Sequence, residues 1–512
     1  MTDRRVDVLI AGAGAAGLRA ALAAREAGAE RVLIVSKTES GVDNCSGIAW
    51  GGLSGAVGGA DADHYASVLA EYSEGIAQPE LARKLAEASG PALQELASLG
   101  VQSQVHRAHL TVSARPRHPG EGLTLPLLRR CQEAGVEFAE PAMLVQLLRD
   151  DRGCRGAMVL DLASGDYCRV WAGATILATG GFAGLHARND NPAGTVGDGV
   201  ALGLLAGARA IDLEFVMVFE LGLAEDGCPQ DGCYFGPAVS AGLVTDDSGL
   251  PLDRAQRDEH WRAASLDTAR RDGRYDLWLD LTRVTPEQWR EEKLALVRRE
   301  ILLDLPVADR PVRVSPLAHF TPGGLMIDER ARTAVPGLFA AGEVAGGVFG
   351  AGRPGGGALT DAIVFGAVAG REAAEYAAAR PQAGSGDAVL DLPFVEPGEK
   401  GRLPSEVLSE IGWALWNYVS LWRNGRGLEA CLAWLRALEL PASAGSVAEL
   451  RALHEGRLGR IVAEAAARAA LLREETRGRH HRRTDFPEPD AAWQRNIIWR
   501  LSEDGQLAHE EV

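Results

Sequence analysis

Residues 6–11 (VDVLIA) are almost continuously apolar over the length of one strand, the pattern of a strand covered on both faces. An alanine-rich stretch at 15–28 follows and stops at Gly28, which predicts a helix with a glycine at its end. Residues 31–35 (RVLIV) repeat the strand pattern, so the chain opens as a βαβ unit. Helices are predicted at about 63–98 and 196–207, a strand meander at 143–149 and 155–162 with a turn at Asp151-Arg152-Gly153, and a buried strand at 173–178 (GATILA). Residues 216–312 mix short strands with helices. A linker rich in Pro, Gly and Ser spans 381–400. Residues after 400 read as helical, with apolar residues at helical spacing in 405–440 and 445–475.

Glycine placement changes the picture from a list of elements to a fold. Gly12-x-Gly14-x-x-Gly17 follows the first strand and opens the first helix. There Gly12 permits the tight turn, Gly14 lets the backbone approach a pyrophosphate, and Gly17 lets helix pack on strand. Ala15 and Ala16 lie inside the same turn, where the helix N-terminus faces phosphate. The second strand ends in Ser36-Lys37-Thr38 rather than an acidic residue, so the simple NAD pattern is broken, although a hydroxyl can still bind a ribose. Ala178-Thr179-Gly180-Gly181 leaves room for a cofactor at another strand end. Glu343, after the strand Gly337–Gly342, can accept from a sugar hydroxyl; read alone it is equally a satisfied acid at a strand end. Gly355-Gly356-Gly357-Ala358-Leu359 opens a helix of about 358–378 whose positive end suits an anionic cofactor edge. The nucleotide pattern appears, stops near 215 and resumes near 313. That is the mark of a domain inserted into a Rossmann-like fold.

Composition narrows the class. At 512 residues the chain exceeds what one hydrophobic core supports, so two or three domains are expected. A net charge of −17 argues against nucleic-acid binding but leaves small anionic substrates open. Seven scattered cysteines fit a reducing compartment, and none has iron–sulfur ligand spacing, so any cluster sits on another chain. No metal site is read. Arg4-Arg5 precede an apolar run, but the glycine pattern in that run excludes the export reading. No run reaches the length of a membrane span, so the chain is expected to be cytoplasmic, with membrane contact only through a partner.

Taken together, the stretches DVLIAGAGAAGLRAAL, Ser36-Lys37-Thr38, SGIAWGG, ILATGGF, NPAGTVGDGVALGLLAGA, DLEF, AHFTPGG, VPGLFAAGEVAGGVFGAGRPGGGALTDAIVFG, WNYVSLWRN and ALLREETRGRHHRRTDFP resemble one family. It is that of the succinate dehydrogenase and fumarate reductase flavoproteins and L-aspartate oxidase. The resemblance spans nearly the whole chain and is weakest at about 216–315. It implies an α/β fold: a Rossmann-like FAD-binding domain (1–215 and 313–380), an inserted α+β capping domain (216–312) and a C-terminal helical domain (400–512). FAD would be held by Gly12, Gly14, Gly17, Ser36, Lys37, the 46–52 loop with Ser46, Gly47, Gly51 and Gly52, and by Asp198, Glu343, Gly357, Ala358 and Leu359, with Ala178, Thr179 and Gly180 at the neighbouring strand end. Hydride would move between flavin N5 and a carbon of a small dicarboxylate, with an arginine moving the proton.

The substrate site carries across in part. His319 in AHFT matches the family's carboxylate-binding histidine and would supply a donor. Arg353 in GAGR matches its carboxylate-binding arginine, a bidentate fork. Phe219 in MVFEL stands where the family has a second histidine, which suggests a substrate with one well-held carboxylate or an apolar group. The family's RGEGG loop has no clear counterpart, Gly232–Gly242 being the nearest region. Arg262, in Arg257-Asp258-Glu259-His260-Trp261-Arg262, fits the pattern of the proton-transfer arginine, although the spacing to Gly273 departs. Cys45 stands at the flavin-linking histidine, so non-covalent FAD is expected. Arg115, Arg117 and His118 are further candidates for the substrate cleft, and the run Arg477–Arg483 reads as a packed tail motif. Two rival roles fit the same residues: a flavoprotein passing electrons to an iron–sulfur or ferredoxin-like partner, and a flavin-binding sensor without turnover.

Overall fold

The computed structural model describes residues 2–113, 118–224, 243–245, 277–285, 287, 310–380, 402–478, 481–502 and 505–510. The opening apolar run forms the strand Thr2–Ala11, which pairs in parallel with Val32–Val35 on one side and Tyr167–Leu177 on the other. Val8, Leu9 and Ile10 are completely buried, as a strand covered on both faces requires. Glu137–Ala139 extends the sheet beyond Val32–Val35, and Leu338–Ala340 joins beside the end of Tyr167–Leu177, both in parallel. The predicted meander is Ala142–Asp150 and Gly153–Asp161, two antiparallel strands that complete a seven-stranded sheet.

Register sets the edge that matters. Ala11 lies opposite both Val35 and Leu177, and Leu177 lies opposite Ala340. Four neighbouring parallel strands therefore end in one line, where the chain leaves as Gly12, Ser36, Ala178 and Ala341. Ligands of open α/β sheets bind at such an edge. The sheet is backed by two helices, Ala15–Glu26 and Gly357–Ala378. They cross in close contact: a Cβ on Gly366 would lie 2.7 Å from the Ala16 carbonyl oxygen, and one on Gly370 would lie 2.1 Å from that of Ala20. The alanine-rich composition of the first helix is thus its packing surface.

Within 216–312 the described strands are Met217–Leu223, Val244–Thr245 and Leu277–Leu279. With Val312–Phe320 they form a four-stranded antiparallel sheet. The last of these strands returns to the main body, where the Ala318 amide donates to the Arg188 carbonyl (3.0 Å) and its carbonyl accepts from the Asp190 amide (3.2 Å).

The tail corrects one expectation. Helices Pro404–Val419, Gly425–Ala437 and Val447–Leu472 are present, but the chain does not stay helical to its end. Ile498–Leu501 and Leu507–Glu510 form a hairpin that pairs with Ala210–Ile211 in a five-stranded sheet. The apolar run Ile497-Ile498-Trp499 is buried but too short for a helix, and Gly505, at φ 76°, makes the turn. Of the basic tail run, Arg477, His481 and Arg483 are buried. Arg473 is completely buried and donates to Glu214 (2.7 Å) and Glu475 (2.9 Å). Arg477 donates to Glu475 and to the Glu74 carbonyl (3.2 Å), and Asn496 to the Ile76 carbonyl (2.7 Å). The turn that these residues grip supports the loop of Arg353, since the Ala351 amide donates to the Ser73 carbonyl (3.2 Å). Among the described residues, no helix is long and apolar enough to cross a membrane.

Candidate active site

The line of strand ends forms the floor of a cleft of about 1860 Å³, counting its open mouth. Its nucleotide end is built by glycine. Gly12 has φ +108°, and a Cβ there would lie 2.2 Å from the Ala178 carbonyl oxygen, so only glycine turns the chain here. Gly14, Ala15 and Ala16 line the cleft beyond it. Gly17 does not; a Cβ there would meet the Gly12 carbonyl oxygen at 1.9 Å, so its part is to seat the helix on the turn. Ser46 lines the cleft and its Oγ accepts the Ala15 amide at 3.1 Å. Gly51 and Gly52 line it as well, whereas Gly47 packs inward, where a Cβ would meet the Val42 carbonyl oxygen at 2.3 Å.

Ser36, Lys37 and Thr38 also line this end. The Ser36 hydroxyl donates to the Thr38 carbonyl (2.8 Å), so it is occupied within its own turn. Lys37 is paired with Asp198 and Glu455, both at 3.2 Å, and donates to the Gly194 carbonyl. Burial pulls its pKa down, but the two carboxylates win and hold it above the ordinary lysine value. Glu455 was not foreseen. It lies on the apolar helix Val447–Leu472, where nothing in the local pattern sets one acid apart.

Among the described residues, four cleft-lining side chains carry a polar atom buried without a protein partner: Arg353 Nε, taken up below, and Asn44 Nδ2, Thr179 Oγ1 and Asp198 Oδ1. Buried polar groups are ordinarily satisfied. An amide, a hydroxyl and a carboxylate oxygen together match the phosphates and hydroxyls of a dinucleotide. Ala178, Gly180, Ala358 and Leu359 complete this surface, and Gly357 lies just behind it as the first residue of the long helix. That helix presents its N-terminus to the cleft from Gly356, at φ +80°.

At the other end stand Glu343, His319 and Arg353. Glu343 Oε1 accepts from the Thr321 amide (3.0 Å) and hydroxyl (3.3 Å). A Cβ on Gly181 would lie 2.3 Å from that oxygen, which is why the Gly180-Gly181 pair leaves room here. Burial pushes the Glu343 pKa up to about 7, against the pull of Thr321 and Arg353. Cys45 donates to Asn191 Oδ1 (3.2 Å); burial, with Glu343 nearby, pushes its thiol well above the ordinary range. A neutral thiol is a poor nucleophile.

Arg353 Nη2 lies 2.9 Å from His319 Nε2, with its guanidinium 4.2 Å over the Phe320 ring. Guanidinium has only donors, so Nε2 accepts. His319 therefore carries its proton on Nδ1, which donates to Asp190 at 2.8 Å. In this arrangement the Nδ1 proton is held by Asp190 and Nε2 faces Arg353. Arg353 keeps capacity: Nη1 has the Pro354 carbonyl at 3.3 Å, and Nε is buried without a partner. Burial lowers the Arg353 pKa, opposed by Glu343 and Asp190. Asp190 and Trp50 also line the cleft and were not singled out in the sequence. Arg262, Arg115 and Arg117 lie outside the described residues, and His118 is not among the cleft residues.

Residues 7–359 match the FAD binding domain family, and residues 409–512 match the fumarate reductase flavoprotein C-term family. A fumarate reductase (CoM/CoB) subunit of Methanothermobacter marburgensis is 30% identical over 96% of each chain. An L-aspartate oxidase of Caulobacter vibrioides is 30% identical over 97% of each. The structure of Mycobacterium smegmatis Sdh1 in complex with UQ1 superposes with a TM-score of 0.87 at 25% identity, covering 100% of this chain and 94% of that one. With its cleft and these relatives, the chain belongs to the fumarate reductase and L-aspartate oxidase family of FAD-dependent oxidoreductases.

Proposed function

We propose that the chain oxidises or reduces a small carboxylic acid, succinate-, fumarate- or aspartate-like, gripped through Arg353 at the edge of its FAD. Bound FAD supplies the redox chemistry by accepting or giving hydride at N5. The observation that carries this reading is that Arg353, with an unpartnered Nε and its guanidinium stacked on Phe320, shares one cleft with the glycine-bounded strand ends. A carboxylate bound there gains a charge-assisted pair of hydrogen bonds. His319 steadies Arg353, and Glu343 faces the sugar hydroxyls of the cofactor. Arg262 is the proposed proton-transfer residue. Phe219 is the proposed site of altered specificity; its backbone lies opposite Leu317, two residues before His319.

Anaerobic bleaching of the visible flavin band tests the reading. Succinate, L-aspartate and monocarboxylates bearing an apolar group are offered to the purified holoprotein. Bleaching by succinate or aspartate supports the family activity with Phe219 tolerated. Bleaching by the apolar monocarboxylates alone supports a specificity change, and Phe219→His then raises fumarate turnover. No bleaching, together with no reoxidation of the reduced protein by fumarate, overturns the reading. One relative is named as part of a larger enzyme, which favours a second component: a partner chain that exchanges electrons with the flavin, of the iron–sulfur or ferredoxin-like class. Co-purification of a brown protein with the chain tests it.

A further inference from the structure

We propose that Asp190 is a positioning residue for the carboxylate grip: it fixes the tautomer of His319 and, through it, the aim of Arg353. The inference rests on the proposed carboxylate site. Its geometry is a chain of three groups. Asp190, 5% exposed, accepts from His319 Nδ1 at 2.8 Å through one oxygen and 3.1 Å through the other. His319 Nε2 then accepts from Arg353 at 2.9 Å. Both ends demand the same tautomer. With the proton on Nε2 instead, an N–H would face the guanidinium and a lone pair would face the carboxylate. Carboxylates behind imidazoles set ring orientation and tautomer in this way at many sites.

Asp190 is itself held in place by backbone. Its amide donates to the Ala318 carbonyl (3.2 Å), and Asn189 bridges the same residue. Asn191 Nδ2 donates to the His319 carbonyl (3.2 Å) and reaches Asp190 Oδ1 (3.3 Å). The segment 189–191 thus clamps the strand that carries the imidazole. Arg353 is in turn fixed on two sides, by the Phe320 ring beneath it and by His319 at Nη2. Its buried, unpartnered Nε and the second N–H of Nη1 or Nη2 are the donors left for a ligand. Removing the charge of Asp190 lets His319 adopt the other tautomer, which turns an N–H toward Arg353 and disturbs that aim.

Two measurements on the holoprotein decide the matter. The first is the ¹⁵N spectrum of histidine-labelled protein, with His319 assigned by its loss in His319→Gln. Wild type shows a protonated Nδ1 and a bare Nε2, and Asp190→Asn shifts His319 toward the Nε2–H form. The second is malonate affinity, read from perturbation of the flavin spectrum. Asp190→Asn binds malonate roughly tenfold or more weakly, the scale of one weakened charge-assisted hydrogen bond. In the His319→Gln background the same change has no further effect, which a merely structural role of Asp190 does not predict. A wild-type His319 protonated on Nε2, or an equal loss of affinity in both backgrounds, overturns the proposal. Failure of malonate to bind wild type would instead count against the carboxylate reading and leave the tautomer measurement standing.

Discussion

Glu343 enters the cleft between Thr321 and Gly181, and its environment makes it responsive to pH. Its folded pKa, about 7, lies above its ordinary value of 4.5, with burial as the main cause. Between those values the folded apoprotein holds a proton that the unfolded chain has lost. Stability without cofactor therefore falls as pH rises through that window. FAD affinity does the opposite, because a hydroxyl that donates to the carboxylate favours its ionised form. Urea midpoints and FAD titrations of the apoprotein at about pH 5 and about pH 8 should show both slopes, and Glu343→Gln should flatten them. A wild type with no slope in either quantity would remove Glu343 from the cofactor edge. Cys45 gives a second residue-scale prediction. Its thiol is held neutral, so acid precipitation should leave the yellow colour in the supernatant; colour retained in the pellet would mean a covalent link. His319 and Arg353 could be found in the sequence because local motifs mark them. Asp190 could not, because its partner lies 129 residues away and only the return of a strand brings the two together.

Elements were legible where their signal is local. The first strand, first helix and second strand follow directly from an apolar run, an alanine-rich stretch and glycine punctuation. The crossing of two helices was not, since Gly370 reads simply as a weak helix former until Ala20 is placed beside it. Gly370→Ala should force the helices apart and lower stability by about 1–3 kcal/mol, the usual range for overpacking, in a urea titration. An unchanged midpoint would mean the contact yields easily. The terminal hairpin escaped notice for a different reason. Its strands are short, and their partner, Ala210–Ile211, is far away in sequence. The arginines before it read as a packed tail motif only through the family resemblance, and what they pack on is not in the local sequence: Arg473 lies buried between two carboxylates. Arg473→Ala leaves the buried Glu214 without its ion pair, while Glu475 keeps Arg477, and should lower stability by roughly 3–5 kcal/mol. A loss within error would show that the tail network contributes little.

At the scale of the whole molecule, the two ends of the cleft depend on the C-terminal part of the chain. Glu455, on a C-terminal helix, pairs with Lys37 at the nucleotide end. Arg477 and Asn496 grip the turn that supports the Arg353 loop. Release of flavin, followed by its fluorescence, and loss of helix, followed by circular dichroism, should therefore coincide on heating, with excess FAD raising the midpoint. Flavin release well before helix loss would show that the C-terminal helices stand apart from the cofactor. The most direct test of the account is the anaerobic rate of flavin bleaching by the best carboxylic acid of the panel, compared between wild type and Arg353→Lys. Lysine keeps the charge but loses the planar fork. The account predicts that the second-order rate falls roughly a hundredfold or more, with FAD content unchanged. Equal rates in the two proteins would contradict it, because the carboxylate would then be gripped elsewhere.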